Sequence, residues 1–324
     1  MDQIKRILSG LLTMFFVVAC SNLTATPKVV ESETSGVPSA VPTAQAPAAP
    51  TPLLPATPTF QPTPDMPTPT LSALVDRHLE INVAKDIAYT SEQKMDIYSP
   101  ITPGDWPIVV VLHGGGSTKS EVQGISQAIA ERGAVVFAPQ WRSSEPLLPS
   151  DTITQGPEDA ACAVRFARAK AAGYGTKPTP RLILVGHSAG GAFGMTVMLA
   201  GDDFKGDCLV NEGSALPDAF VGLDGAYDIL AINSPDNLSK APMEQWRLMT
   251  PFTYVDRKPI RQNVSFYLLC GVEDGLRQMG LRMHQALQAA GYPSYLAFLP
   301  GVSHGMMASP STKQVLSVIL EAMQ

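Results

Sequence analysis

The chain has 324 residues, with 23 Lys and Arg against 29 Asp and Glu and a formal net charge of -6, enough for one large domain or two small ones. The acidic balance and the lack of any block of Lys or Arg argue against a nucleic-acid surface, which needs a basic face to neutralise phosphates. Four cysteines with no C-x-x-C pair and no Cys/His cluster give no zinc signature, and no metal or organic cofactor is expected.

The first twenty residues, "MDQIKRILSGLLTMFFVVAC", place Lys5 and Arg6 ahead of an uncharged apolar stretch from Ile7 to Ala19. At about 13 residues it is short for a bilayer span, which needs about 20, and suits a secretory signal. It ends in "VVAC", which resembles the bacterial lipobox, with Val in place of the usual Leu. That resemblance implies a leader of residues 1–19, cleavage before Cys20 and lipidation of Cys20. It implies an exported lipoprotein held on a membrane of the bacterial cell envelope. An ordinary signal peptide with Cys20 beside the cut is the alternative.

Residues 20–73 read as a linker. Twelve of the chain's 29 prolines fall between Pro27 and Thr70, among many Thr and Ala. Closely spaced prolines remove backbone donors and favour the open polyproline helix, so no core is expected there. Such a segment is a semi-rigid spacer that rises about 3.1 Å per residue, on the order of 130 Å in all. Its PxxP spacing also occurs in ligands of SH3-type modules, but an exported tether fits better.

The folded domain is expected over residues 74–324. "HLEINVAKDIAYT" and "QKMDIYSP" alternate in character and read as an antiparallel pair at a sheet edge. Six oily runs follow, at 107–114, 134–139, 181–186, 219–225, 264–271 and 294–301. Their continuous apolarity suits strands covered on both faces, as in a parallel sheet. Between them lie helix-like stretches at Glu121–Glu131, Pro157–Ala171, Ala189–Leu199, Leu276–Ala290 and Thr312–Met323. Pro157 followed by two acids suits a helix start. Strand alternating with helix predicts an α/β fold with a mostly parallel central sheet and helices on both faces.

In open α/β sheets ligands gather at the carboxyl ends of the strands. The runs end in "HGGG", "PQWR", "GHSAGG", "DGAYD", "GVEDG" and "GVSHG", which puts Ser188, Asp274 and His304 at strand ends. A serine hydroxyl is a poor nucleophile unless a base touches it and a carboxylate orients that base. In "GHSAG", Gly186 and Gly190 remove the side chains that would collide at a sharp turn, leaving Ser188 exposed. His113, Gly114, Gly115 and Gly116 form the "HGGG" that can turn backbone amides inward, with the amide of Ala189 completing an oxyanion pocket. His113 is expected to shape that loop and not to carry protons.

Of the five histidines, His304 follows a buried strand on a glycine-flanked loop and is the expected base. His78 and His284 are expected on the surface, and His187 is expected to point away from its neighbour Ser188. Asp274 is the expected acid, with Glu273 its nearest rival; Asp224 and Asp228 suit a substrate loop better.

From about Gln93 onward the chain resembles the α/β-hydrolases of the carboxylesterase kind. The likeness is to bacterial esterases with an HGGG motif, in the hormone-sensitive-lipase-like and feruloyl-esterase-like groups. "KMDIYSP", "WPIVVVLHGGG", "APQWR", "EDAACAVRFARAKAAGYG", "RLILVGHSAGG", "CGVEDG" and "GVSHG" match its landmarks in order. The resemblance implies Ser188 as nucleophile, Asp274 and His304 as its partners, and Gly115, Gly116 and Ala189 as oxyanion donors. It implies cleavage of carboxylic esters, in a small molecule or an acylated polymer. The usual Asp-Tyr-Arg after the fourth strand is replaced by Gln140-Trp141-Arg142, which bears on the pocket wall. With no cap sequence ahead of "HGGG", any lid must come from Ile229–Asn263, where Met243, Trp246 and Phe252 either line a pocket or pack a small helix.

Two rival functions stay open at this level: an amide or formamide hydrolase or peptidase of the same fold, and a non-catalytic surface-binding lipoprotein. Fold alone does not separate them, and the sequence is silent on oligomeric state. Cys270 reads as a small core residue. Cys162 and Cys208 could pair in an oxidising compartment, but the sequence does not decide it.

Overall fold

The computed structural model describes residues 76–142, 152–177, 180–256, 261 and 263–324. The expected leader, Cys20 and the proline-rich linker lie outside the described residues.

Eight strands form one sheet: β1 (Ile81–Ala88), β2 (Lys94–Pro100), β3 (Ile108–Leu112), β4 (Val135–Pro139), β5 (Leu182–His187), β6 (Ala219–Leu223), β7 (Ser265–Gly271) and β8 (Ser294–Leu299). Their spatial order is β1-β2-β4-β3-β5-β6-β7-β8. β2 runs antiparallel to both β1 and β4, and every pairing from β4 through β8 is parallel. The alternating pair and the six oily runs therefore become strands in the expected places. β1 forms one outer edge, and its register slips between Ala84 and Ile87, around Asp86 at φ 55°.

The continuous apolar strands serve two cores, because successive side chains point to opposite faces. Ile108, Val110 and Leu112 of β3 face one layer, which holds α2 (Thr152–Lys170), α3 (Ala189–Ala200) and α8 (Arg277–Ala289). Val109 and Val111 face the other, built on α1 (Gln123–Glu131) and α9 (Lys313–Ala322). α3 is buried along its whole length, which explains why its sequence is apolar all round and not striped.

α2 differs from expectation at its start, beginning at Thr152 with Pro157 inside it. Only the first four amides of a helix lack partners, so a proline at the sixth position forfeits a single bond. Among its described residues, the region 229–263 holds four short helices: α4 (Ile229–Ile232), α5 (Pro235–Leu238), α6 (Met243–Met249) and α7 (Phe252–Val255). α6 packs against α2, α3 and α4. Trp246 is fully buried and donates Nε1–H to the Leu238 carbonyl at 3.0 Å. Phe252 is partly buried against the same core, while Met243 is exposed. Of the two readings of this region, packing holds for Trp246 and Phe252.

Cys162 on α2 is disulfide-bonded to Cys208, across 46 residues and a Cα–Cα distance of 5.0 Å. Cys208 also forms a β-bridge with Thr90 in the turn between β1 and β2. Cys270 is buried and free. No helix among the described residues is long and apolar enough to cross a membrane.

Candidate active site

Ser188 stands between the last residue of β5 and the first of α3, at φ 54° and ψ -118°. A non-glycine residue there carries strain of about 1–3 kcal/mol and persists only where its surroundings impose it. The restraints come from β6, the turn after it and the first turn of the helix that follows: the Ser188 amide donates to the Leu223 carbonyl at 2.9 Å, and its carbonyl accepts from Ala226 and from Gly191 of that helix, each at 3.0 Å. The flanking glycines are required by close approach. A Cβ on Gly186 would lie 2.3 Å from the Gly190 carbonyl oxygen, and one on Gly190 would lie 2.3 Å from that of His113. The elbow and the "HGGG" loop are thus packed as one block.

That loop is braced from three sides. His113 is fully buried, and its Nδ1–H donates to the Gly114 carbonyl at 2.8 Å. Because a carbonyl only accepts, Nδ1 holds the ring proton, and Nε2 accepts from Gln140 Nε2 at 3.1 Å and the Trp141 amide at 3.4 Å. Burial holds the imidazole down at about 4, outweighing the Gly114 bond and the charge of Glu121, so it stays neutral near physiological pH. Trp141 stacks on the ring with centroids 4.9 Å apart and donates Nε1–H to the His113 carbonyl at 3.1 Å. Gln140 accepts the Lys119 amide at 3.0 Å. Arg142 meets the buried Asp159 with three bonds of 2.5–2.9 Å. The departure Gln140-Trp141-Arg142 therefore works as a brace behind the glycine loop.

Glu121 supplies the third support, accepting the Gly114 amide at 2.5 Å. Burial pushes this carboxyl up, but the neighbouring His187 and the Gly114 N–H together hold it below its ordinary value. Gly116 sits at φ 67°. Among the described residues, the amides of Gly115, Gly116 and Ala189 donate to no protein acceptor, as donors kept for an oxyanion would be.

His304 begins a 3-10 turn after β8, and its Nδ1–H donates to Asp274 Oδ2 at 2.8 Å. Nε2 is left as the basic nitrogen. Asp274 is held by the Leu276 amide, which donates to Oδ1 at 2.7 Å. His187 is buried, packs its ring 4.7 Å from that of His304 and donates Nε2–H to the His304 carbonyl at 3.0 Å. The residue beside Ser188 thus anchors the His304 turn next to the elbow.

Several alternatives fall in other places. His78 is exposed and pairs with Glu131. His284, expected on the surface, is buried and bonds Ser294 Oγ at 2.9 Å through Nδ1, because the apolar side of α8 lies on β7 and β8 and carries this histidine inward. Glu273 is exposed. Asp228 caps α4 and pairs with Arg282 at 2.9 Å. Asp224, expected in a substrate loop, is instead fully buried, with Oδ2 3.9 Å from His304 Nδ1. Asp224 and the Gln140-Trp141 brace had no local signal, since each acts on a distant part of the chain, and Glu121 reaches back seven residues to Gly114 across a turn that no motif marks.

Asp224, Asp274 and His304 are the one cluster of metal-binding residue types within 4.8 Å among the described residues. Within it, His304 and Asp274 are joined by the 2.8 Å hydrogen bond described above.

The BD-FAE family model matches residues 95–266, more than half of the chain. The chain belongs to the BD-FAE family. These are esterase-like α/β-hydrolases, and this BD-FAE chain is a carboxylic ester hydrolase. Solved structures share its fold. Esterase B from Lactobacillus Rhamnosis (HN001) is 14% identical with a TM-score of 0.60, over 76% of this chain and 85% of that one. A truncated carbohydrate esterase from gut microbiota is 19% identical with a TM-score of 0.59, over 75% and 95%. The butyrate-bound esterase Est2 of Thermogutta terrifontis is 18% identical with a TM-score of 0.55, over 75% and 92%. No curated protein matches the BD-FAE chain.

Proposed function

We propose that the chain is an exported serine esterase, tethered by a lipid on Cys20, that cleaves short to medium acyl esters through Ser188, His304 and Asp274. The observation that carries this reading is the 2.8 Å His304–Asp274 bond on a turn anchored by His187, the neighbour of the strained Ser188. Ser188 Oγ attacks the ester carbonyl while His304 Nε2 takes its proton. The oxyanion rests on the amides of Gly115, Gly116 and Ala189. His304 returns the proton to the departing alcohol, and a water activated by the same nitrogen then releases the acid.

The proposed organisation is a leader of residues 1–19, a spacer of 20–73 and a catalytic domain of 74–324. Export is supported by the disulfide, since such bonds persist mainly in oxidising compartments. A tethered enzyme facing outward suits a small ester or an acylated polymer, and a carbohydrate esterase is among the proteins of the same fold.

The test is fluorophosphonate labelling of the full chain, followed by p-nitrophenyl esters from acetate to palmitate. Labelling at Ser188 with fastest turnover on short chains is expected. Ser188→Ala should lower kcat by at least about a thousand-fold with an unchanged thermal melt. Labelling without ester turnover would redirect the reading to amides, and folded protein that neither labels nor turns over would overturn it.

A further inference from the structure

The residue the proposed mechanism leaves unused is Asp224. It occupies the turn after β6 at φ 45°, a conformation non-glycine residues rarely adopt. Its amide donates to the Leu269 carbonyl at 2.9 Å, and its Oδ1 accepts the Gly271 amide at 2.9 Å. The side chain is therefore clamped to the end of β7, the strand that leads to Asp274. Its Oδ2 is buried with no hydrogen-bond partner among the described residues. That oxygen lies 3.9 Å from His304 Nδ1, the nitrogen that Asp274 holds at 2.8 Å. A fully buried carboxylate oxygen without a donor is costly, and here it faces the proton of the proposed catalytic base.

We infer that Asp224 is a second orienting carboxylate for His304, able to take over the Nδ1–H when Asp274 is lost. The role rests on the esterase reading above only insofar as His304 is the base. The groups around Asp224 are Asp274 from the loop after β7, His304 from the turn after β8, His187 at the end of β5, and the buried Tyr227 and Cys270. Burial pushes the Asp224 carboxyl up to about 7; the Gly271 N–H opposes this, the charge of Asp274 adds to it, and His187 lowers it slightly. Asp274 and Asp224 thus divide the work: while Asp274 is charged, its neighbour tends to keep a proton. Removing the Asp274 charge lowers the pH at which Asp224 ionises and frees it to accept from His304. Asp224 is a positioning residue in this scheme and touches no reacting atom.

The test compares full-length wild type, Asp274→Asn, Asp224→Asn and the double variant on p-nitrophenyl acetate, from about pH 5.5 to about pH 9. In parallel, NMR follows the His304 ring in histidine-labelled protein, with His304→Gln to assign its signal. Asn at 224 keeps an acceptor for the Gly271 amide, so the clamp survives. The expected result is that Asp274→Asn retains at least about ten-fold more kcat than the double variant, with activity rising with pH. The His304 ring should titrate at least about one pH unit higher in Asp274→Asn than in the double variant. Equal rates and equal titrations in those two proteins would overturn the inference. If Asp224→Asn does not fold, Asp274→Asn alone decides, and a kcat that does not rise with pH above the His304 titration overturns it. The NMR readout needs no turnover, so failure of wild type to cleave the ester would sink the esterase reading while the titration still judged Asp224.

Discussion

Glu121 comes just ahead of α1 and carries no catalytic proton in the proposed scheme, yet it fixes the first amide of the glycine run from below. Removing that acceptor leaves the Gly114 amide unpaired and lets the next two amides swing. Glu121→Ala is expected to lower kcat about ten-fold, equivalent to about 1.4 kcal/mol of barrier, with KM nearly unchanged. Glu121→Gln, which keeps an acceptor, should recover most of the loss. A kcat for Glu121→Ala equal to wild type on p-nitrophenyl acetate would show that the loop needs no such support. Sequence reading placed Ser188, Asp274 and His304 at strand ends because each follows an oily run closely, and the structure sets His304 against Asp274. Sequence reading passed over Glu121, whose Gly114 partner is only seven residues away, and gave Asp224 to a substrate loop because its nearness to His304 is set by the sheet order, which brings the ends of β6 and β7 beside a turn from after β8. It misplaced His284 because one polar residue on an amphipathic helix does not declare which side it joins.

Elements were more legible than their ends. Five of the six continuous runs became strands buried on both faces, which demands unbroken apolarity, and the sixth became the edge strand β8, only partly covered on one side. The start of α2 was hidden because proline reads as a boundary while tertiary packing tolerates one lost bond. The disulfide was also beyond sequence, as spacing alone does not bring Cys162 to Cys208. It ties α2 to the segment leading into β6, and through the Thr90 bridge to the antiparallel pair. Cys162→Ser with Cys208→Ser is expected to cost about 2–4 kcal/mol, the usual scale for a bridge closing a loop of this length. Urea melts of oxidised wild type, reduced wild type and the double variant check this, and coincident midpoints for oxidised and reduced protein would count against it.

Across the whole molecule, two buried groups make stability depend on pH in opposite senses. His113 titrates at about 4 when folded against an ordinary 6.5, so the unfolded chain binds the extra proton in that window. Its contribution is complete above about pH 6.5 and is lost as pH falls towards about 4, on the order of 3 kcal/mol in all. Asp224 runs the other way: its folded value of about 7 lies above an ordinary 3.8, so its contribution is complete at low pH and is lost as pH rises through that window. The two nearly cancel between about pH 4 and about pH 6.5. His113→Asn should therefore gain stability relative to wild type on going from about pH 7 to about pH 4.5, and Asp224→Asn should lose it. Urea melts at both pH values test this, and a change of the same sign in the two variants would refute it.

The slip in β1 matters for a crowd of these chains rather than for one. An open sheet edge is a row of unpaired amides and carbonyls that invites strands of neighbouring molecules. Exposed Lys85 and Asp86 interrupt that row, and the register slip around Asp86 spoils the flat register that intermolecular pairing needs. Copies held side by side, as the proposed tether would hold them, would meet edge to edge, and this irregularity disfavours strand pairing between them.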